Sequence, residues 1–156
     1  MSKTTRATQA LTRAGIPHGV HAYDYDPEAT RIGLQAAEAM GVSPGEVFKT
    51  LMAAVDGKPV CVLVPSDREV SLKKLAAAFS GKSAAMMRPA EAERLTGYHV
   101  GGISPLGQKR AVPTLVDAAA LAHSEIFVNG GQRGLQVRLK PGDLVRVLQA
   151  RTEAVT

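Results

Sequence analysis

In residues 5–14 apolar side chains recur at helical spacing, at Ala7, Ala10, Leu11 and Ala14, and the run ends at Gly15-Ile16-Pro17, a glycine followed by a helix breaker. That pattern predicts an opening helix. Residues 18–25 alternate and predict a strand, and residues 33–40 predict a second helix closed by Gly41. Ser43-Pro44-Gly45-Glu46 has the composition of a capping box with proline at the first helical position. It starts at most a turn, because residues 47–55 read as a strand. Asp56-Gly57 then separates this strand from a second apolar run, residues 59–65, and an Asp-Gly between two such runs predicts a hairpin.

Further along, Ser71 is placed to cap a helix through Phe79, Pro89 to begin one through Leu95, and residues 117–122 suggest another. Two glycine-rich turns follow the same logic, Gly101-Gly102-Ile103-Ser104-Pro105-Leu106-Gly107 and Asn129-Gly130-Gly131-Gln132-Arg133-Gly134. The second joins residues 125–128 to residues 135–139 as another hairpin, before Pro141-Gly142-Asp143 opens a closing helix. Hairpins interleaved with helices predict an α/β (mixed) fold, a mixed and largely antiparallel sheet surrounded by helices, and argue against an all-parallel doubly wound one. With no repeat, low-complexity tract or linker, residues 1–156 are expected to form one domain.

Composition narrows the class. The chain has 156 residues, 45% of them hydrophobic and 21% charged, as in a soluble globular protein. No apolar run approaches the about 20 residues that span a bilayer, and the amino terminus lacks a signal-like stretch. A single cysteine excludes an internal disulfide framework and a multi-thiolate zinc site, so a cytoplasmic protein is expected. The formal charge of +5 admits a polyanionic partner, although the basic residues are scattered apart from Lys73-Lys74 and Gln108-Lys109-Arg110. An aromatic content of 4% without tryptophan argues against a broad stacking platform for single-stranded nucleic acid.

Lys49 is the most informative single residue. Strand alternation places it with Val47, Leu51, Ala53 and Val55 on an otherwise apolar face. It either snorkels to water from the strand end or stands at the mouth of a pocket, ready for a phosphate or an oxyanion. Thr50 adds a hydroxyl on the opposite face. The loop 101–107 can turn backbone N–H groups toward an anion or carbonyl, or be an ordinary turn. Ser104 is a poor nucleophile candidate, since the loop lacks the last glycine of a hydrolase elbow and Pro105 has no N–H to offer. Gly81-Lys82-Ser83 lacks the first glycine of a phosphate-binding loop, Ala76 standing in its place. Cys61 reads as a buried apolar residue, and His18, His21, His99 and His123 show no ligand spacing, so neither a metal site nor a cofactor is expected.

Taken together, Val47-Phe48-Lys49-Thr50-Leu51, Tyr98-His99-Val100-Gly101-Gly102-Ile103-Ser104-Pro105-Leu106-Gly107-Gln108-Lys109 and Gly130-Gly131-Gln132-Arg133-Gly134-Leu135 closely resemble the YbaK/EbsC family of trans-acting aminoacyl-tRNA editing proteins. Ala14-Gly15-Ile16, Asp26-Pro27, Ala36-Ala37 with Gly41-Val42, and Ala92-Glu93-Arg94-Leu95-Thr96-Gly97 fall in family order, so the resemblance runs nearly end to end. It implies a pocket for the aminoacylated 3′ end of tRNA and deacylation of Cys-tRNA(Pro), often alongside prolyl-tRNA synthetase. It also implies that the cysteinyl thiol attacks its own ester. Lys49 would hold the terminal nucleotide, and N–H groups around Gly101, Gly102 and Gly131 would orient the ester. Tyr23, Ile32, Thr50, Ser104, Pro105, Asn129 and Gln136 would line the substrate site, with Lys73, Lys74, Lys109 and Arg110 as candidate tRNA contacts.

Four positions depart from the family's usual residues. Ile32 stands where an aromatic is common, Gln35 for Glu, Asn129 for Ser, and Gln136 for an acidic residue. These changes bear on which aminoacyl group is accepted, or are drift without consequence. The competing readings are a deacylase for another small aminoacyl-tRNA and a non-catalytic module that binds tRNA ends or a synthetase.

Overall fold

A computed structural model describes residues 4–29 and 31–156, so the first three residues of the amino-terminal segment lie outside the described part. The helices are α1 (Arg6–Arg13), α2 (Ile32–Met40), α3 (Leu72–Ala78), α4 (Pro89–Thr96) and α5 (Pro141–Leu148). The strands are β1 (Gly19–Ala22), β2 (Val47–Val55), β3 (Lys58–Pro65), β4 (Ala84–Met86), β5 (Thr114–Asp117), β6 (Ile126–Asn129), β7 (Leu135–Leu139) and β8 (Arg151–Glu153). All eight strands belong to one sheet, ordered β1-β7-β6-β2-β3-β5-β8, with β4 added beside β2. The ladders β1–β7, β2–β3, β2–β4 and β6–β7 are antiparallel, and β2–β6, β3–β5 and β5–β8 are parallel. The fold is mixed α/β, as the patterning predicts.

Local chemistry explains most boundaries. Thr5 caps α1 by accepting the Thr8 N–H at 3.1 Å, and Ser71 caps α3 by accepting the Lys74 N–H at 3.2 Å. Gly41 ends α2 at φ 70°, and the Asp56-Gly57 turn closes the β2–β3 hairpin with φ of 50° and 79°, the positive pair that a tight hairpin needs. The Ser43 box yields only a 3-10 turn, Pro44–Glu46, with the Glu46 carboxylate accepting the Ser43 N–H at 3.3 Å.

Two expectations need correction, and three short strands had no expectation at all. The first strand is shorter than its pattern, four residues, because only Gly19–Ala22 finds a partner in β7. Residues 117–122 are not an α-helix: Asp117 ends strand β5 and caps a 3-10 turn, Ala118–Ala122, by accepting the Ala119 N–H at 2.9 Å. The short strands β4, β5 and β8 have no sequence-stretch long enough to show alternation.

The sheet is covered on both faces. On one, Phe48, Met52, Cys61, Leu63, Val116, Ile126, Val128, Val137 and Leu139 pack under Ala7 and Leu11 of α1, Ala92 of α4 and Leu144 of α5. On the other face the apolar packing divides in two. Ala36 and Ala37 of α2 sit on Tyr23, Val47 and Phe127, whereas Leu75 and Ala76 of α3 sit on Ala53, Val55, Val60, Val62, Val64 and Leu115. Lys49 falls between these two clusters on the same face of β2.

Candidate functional site

The division between the α2 and α3 clusters continues as a gap in the sheet. β6 pairs with β2 only at Val47 and Phe48, and β4 only at 53–55, so β2 has one open edge between them. A cavity of about 410 Å³ occupies the opening, within the size range of small-molecule sites. Its floor is Val47, Phe48, Lys49, Thr50 and Leu51, and its walls come from Arg31, Ile32 and Gly33 at the start of α2, Ser66 and Glu69 after β3, Val100, Gly101 and Ile103, and Asn129 and Gln136. Lys49 and Thr50 point to opposite faces of β2 and both line the cavity.

Lys49 is only partly exposed, its side chain at 23%, and its Nζ lies 3.5 Å from Glu69 Oε1. Glu69 is 79% exposed, so this ion pair is weak and leaves the lysine available to an anion. The Thr50 hydroxyl and Gln136 Oε1 are buried without hydrogen-bond partners among the described residues. The Ser66 hydroxyl, by contrast, is committed to the Val47 carbonyl at 2.6 Å. A side chain on Gly33 would run into Ser66, which explains glycine where α2 enters the pocket wall.

The two glycine-rich loops meet beside this cavity. Asn129 Nδ2 donates to the Gly101 carbonyl at 3.1 Å, and Asn129 Oδ1 accepts the N–H groups of Gly131 and Gln132 at 2.7 and 3.2 Å. Arg133 Nε donates to the Val100 carbonyl at 2.9 Å, and its guanidinium lies 5.6 Å from the centre of the Tyr25 ring. The Gly102 N–H is spent on the His99 carbonyl at 2.8 Å. Of the three glycine N–H groups expected to face an ester, only that of Gly101 donates to nothing among the described residues. Gly102 and Gly131 serve the contact between loops instead: a Cβ on Gly102 would lie 2.8 Å from the Arg133 nitrogen, and one on Gly131 2.9 Å from the Tyr98 ring.

The remaining expected residues divide in the same way. Lys49, Thr50, Ile32, Gly101, Asn129 and Gln136 line one cavity. Tyr23, Ser104 and Pro105 do not. Tyr23 packs behind Gln136, and its phenol is pushed above the usual range by burial, with the neighbouring Gln136 amide opposing. Ser104 is fully buried and accepts the Leu106 N–H at 3.2 Å. Gln35, one of the four departures, donates to the Asp24 carbonyl at 3.0 Å and is not part of the wall. Lys73 is exposed on α3, Lys74 Nζ donates to the Thr156 carbonyl at 2.8 Å, and Lys109 and Arg110 line a separate surface cleft with Glu91, Arg94 and Leu95. Arg31, Glu69, Val100 and Ile103 escaped the sequence reading. None was marked by a local pattern: Arg31 and Glu69 are charges at segment ends that tertiary packing brings to the cavity.

The arrangement offers a cation, an unpaired glycine N–H and a buried hydroxyl, all at a gap in a strand ladder. A family model described as the aminoacyl-tRNA editing domain matches residues 26–147, which include every wall of this cavity. The chain belongs to the aminoacyl-tRNA editing family. This editing domain is similar along nearly its whole length to EbsC of Enterococcus faecalis, provisionally named a Cys-tRNA(Pro)/Cys-tRNA(Cys) deacylase: 34% identity over 158 residues, 99% of this chain and 96% of that one. It is 29% identical over 118 residues to the Multifunctional Ser/Thr-tRNA deacylase ProXp-y of Escherichia coli K12, spanning 72% of this chain and 71% of that one. Among solved structures, one described provisionally as a trans-editing enzyme for prolyl tRNA synthetase superimposes with a TM-score of 0.82 at 25% identity, covering 97% of this chain and 94% of that one. The editing domain is an aminoacyl-tRNA deacylase.

Proposed function

We propose that this editing domain removes cysteine from mischarged Cys-tRNA(Pro), with the substrate supplying its own nucleophile. The observation that carries the reading is the chemistry missing from an otherwise equipped pocket. Among its described lining residues there is no histidine or cysteine, the Ser66 hydroxyl is already bonded, and the Thr50 hydroxyl has no base hydrogen-bonded to it. Cys61 is buried within the core, its thiol pushed up to about 12 by burial, and lines no part of the pocket. A cysteinyl ester brings a thiol within reach of its own carbonyl, and an intramolecular attack gains the rate advantage of a reaction within one molecule.

In this mechanism the sulfur forms a bond to the ester carbonyl carbon and the bond from that carbon to the ribose oxygen breaks. The thiol proton ends on the ribose oxygen, releasing a cyclic thiolactone and uncharged tRNA. Lys49 holds the phosphate of the terminal nucleotide, its apolar neighbours on β2 limiting water around the charge. The Gly101 N–H donates to the developing oxyanion. Gly102, Gly131 and Asn129 position that donor rather than touch the ester. The synthetase partner is prolyl-tRNA synthetase, a reading supported by the likeness to a structure described as its trans-editing enzyme.

A second reading has one observation in its favour. The unpartnered Thr50 hydroxyl suits a hydroxyl-bearing aminoacyl group, and one relative is named for Ser/Thr-tRNA. The test is deacylation of cysteinyl-, alanyl- and seryl-tRNA(Pro) by the native domain and Lys49→Ala, with the released product identified. Loss of cysteine alone as thiolactone, abolished in a folded Lys49→Ala, is the expected result. Release of free serine or alanine with cysteine untouched overturns it.

A further inference from the structure

One edge of β2 is paired from Phe48 to Val55 against β3 without a break. The other is paired only near its ends, leaving the stretch around Thr50 open. Along a strand the N–H and C=O groups of successive residues point alternately to the two edges. The Val47 carbonyl accepts the Ser66 N–H at 2.8 Å on the β3 side, and the Met52 carbonyl accepts the Met87 N–H at 3.1 Å on the other. By that alternation the main-chain N–H and C=O of Thr50 both point into the gap. No strand meets them among the described residues, and Thr50 lines the cavity.

A residue so exposed offers a donor and an acceptor at fixed spacing. An α-aminoacyl ester carries the complement: an α-ammonium donor, one carbon, then a carbonyl acceptor. Facing residues in an antiparallel ladder exchange both bonds in this way. We propose that the aminoacyl group docks on Thr50 as a one-residue strand, its α-ammonium donating to the Thr50 carbonyl and its ester carbonyl accepting the Thr50 N–H. The carbonyl oxygen has two lone pairs, so the Gly101 N–H serves it as well. Recognition by main chain is indifferent to the aminoacyl side chain but requires an N–H donor on the α-nitrogen. The domain therefore discriminates against acyl esters that lack an α-nitrogen donor, whereas the pocket walls set which side chain enters. This assignment rests on the deacylase reading of the same pocket.

Its test is a binding measurement, which needs no cleavage. tRNA(Pro) is prepared with a 3′ amide linkage to cysteine or to 3-mercaptopropionate, which differs only by lacking the amino group, and both dissociation constants are measured. The cysteinyl amide is expected to bind about tenfold tighter or more, equivalent to about 1.4 kcal/mol. Thr50→Val, which keeps the main chain and loses the hydroxyl, is expected to preserve that ratio. Equal affinities within about twofold for the native domain overturn the proposal, and so does a ratio that disappears in folded Thr50→Val, since the side chain would then be the reader. If no aminoacyl ester is cleaved but the affinity ratio holds, the deacylase reading fails and the docking mode stands.

Discussion

Asn129 holds Gly101 in place: its Nδ2 donates to the Gly101 carbonyl at 3.1 Å while its Oδ1 accepts the Gly131 N–H at 2.7 Å. One amide thus ties together both glycine-rich loops. Asn129→Ala is expected to lower stability by about 1 kcal/mol, because it leaves partly buried backbone groups unpaired. Deacylation should fall further than folding does, by tenfold or more, as the Gly101 N–H loses its fixed direction. Thermal unfolding and turnover measured on one preparation check this; unchanged turnover in a destabilised variant would show that the brace is structural only.

Glu69 stands 3.5 Å from Lys49 and is largely exposed. Such a pair contributes at most about 1 kcal/mol to stability, so Glu69→Ala should fold normally. It also removes the negative charge nearest the proposed phosphate-holding cation. Affinity for tRNA is expected to rise several-fold at low salt, with a steeper salt dependence. Weaker binding would mean that Glu69 itself contacts the substrate.

Gly102 is a test of crowding without backbone strain, since its φ is not positive. An alanine Cβ there would lie 2.8 Å from the Arg133 nitrogen and 3.0 Å from the Gln132 carbonyl carbon, both main chain. The loops must move apart to admit it. Gly102→Ala should cost about 1–3 kcal/mol and reduce deacylation, while Gly142→Ala, with nothing within 4 Å of its Cβ, should leave deacylation unchanged.

The Cys61 thiol is raised from 9.0 to about 12 because burial disfavours the thiolate, with Gln108 and Thr114 opposing. Between those values the folded protein keeps a proton that the unfolded chain releases. The associated stability is therefore complete below about pH 9 and falls as pH rises toward 12, by roughly 4 kcal/mol over the window. Tyr23 and Tyr98 are raised by burial too and add to the loss in the same direction. Denaturant unfolding from pH 8 to 11 should show a shallower decline for Cys61→Ala than for the native chain, and parallel curves would discount the thiol.

Elements with a pattern or a turn signal beside them were legible in the chain, and the three-residue strands were not. Residues 47–65 announce a hairpin because Asp56-Gly57 supplies the positive φ pair between two apolar runs. Strands such as Ala84–Met86 and Arg151–Glu153 have three residues each, too few for a period, and are set by the neighbours they pair with. Lys49 stood out as a cation on an apolar face, and the structure puts it on a cavity floor. Gly102 and Gly131 show why a glycine is ambiguous in a sequence: one that allows close approach reads the same whether a ligand or another loop comes near. Glu69 and Arg31 reach the cavity from segment ends, through tertiary packing that no local pattern encodes.

The break in the ladder beside Thr50 also predicts an uneven record of solvent exchange in the middle of the sheet. Lys49 and Leu51 turn their amides to β3, opposite Val64 and Val62, and are protected by the hairpin. Thr50, between them, points its amide into the cavity and has no such protection among the described residues. Its amide deuterium should be taken up by local access alone, while its two neighbours wait for a larger opening of the fold. A bound aminoacyl end should slow Thr50 selectively, turning one amide of a buried strand into a reporter of occupancy.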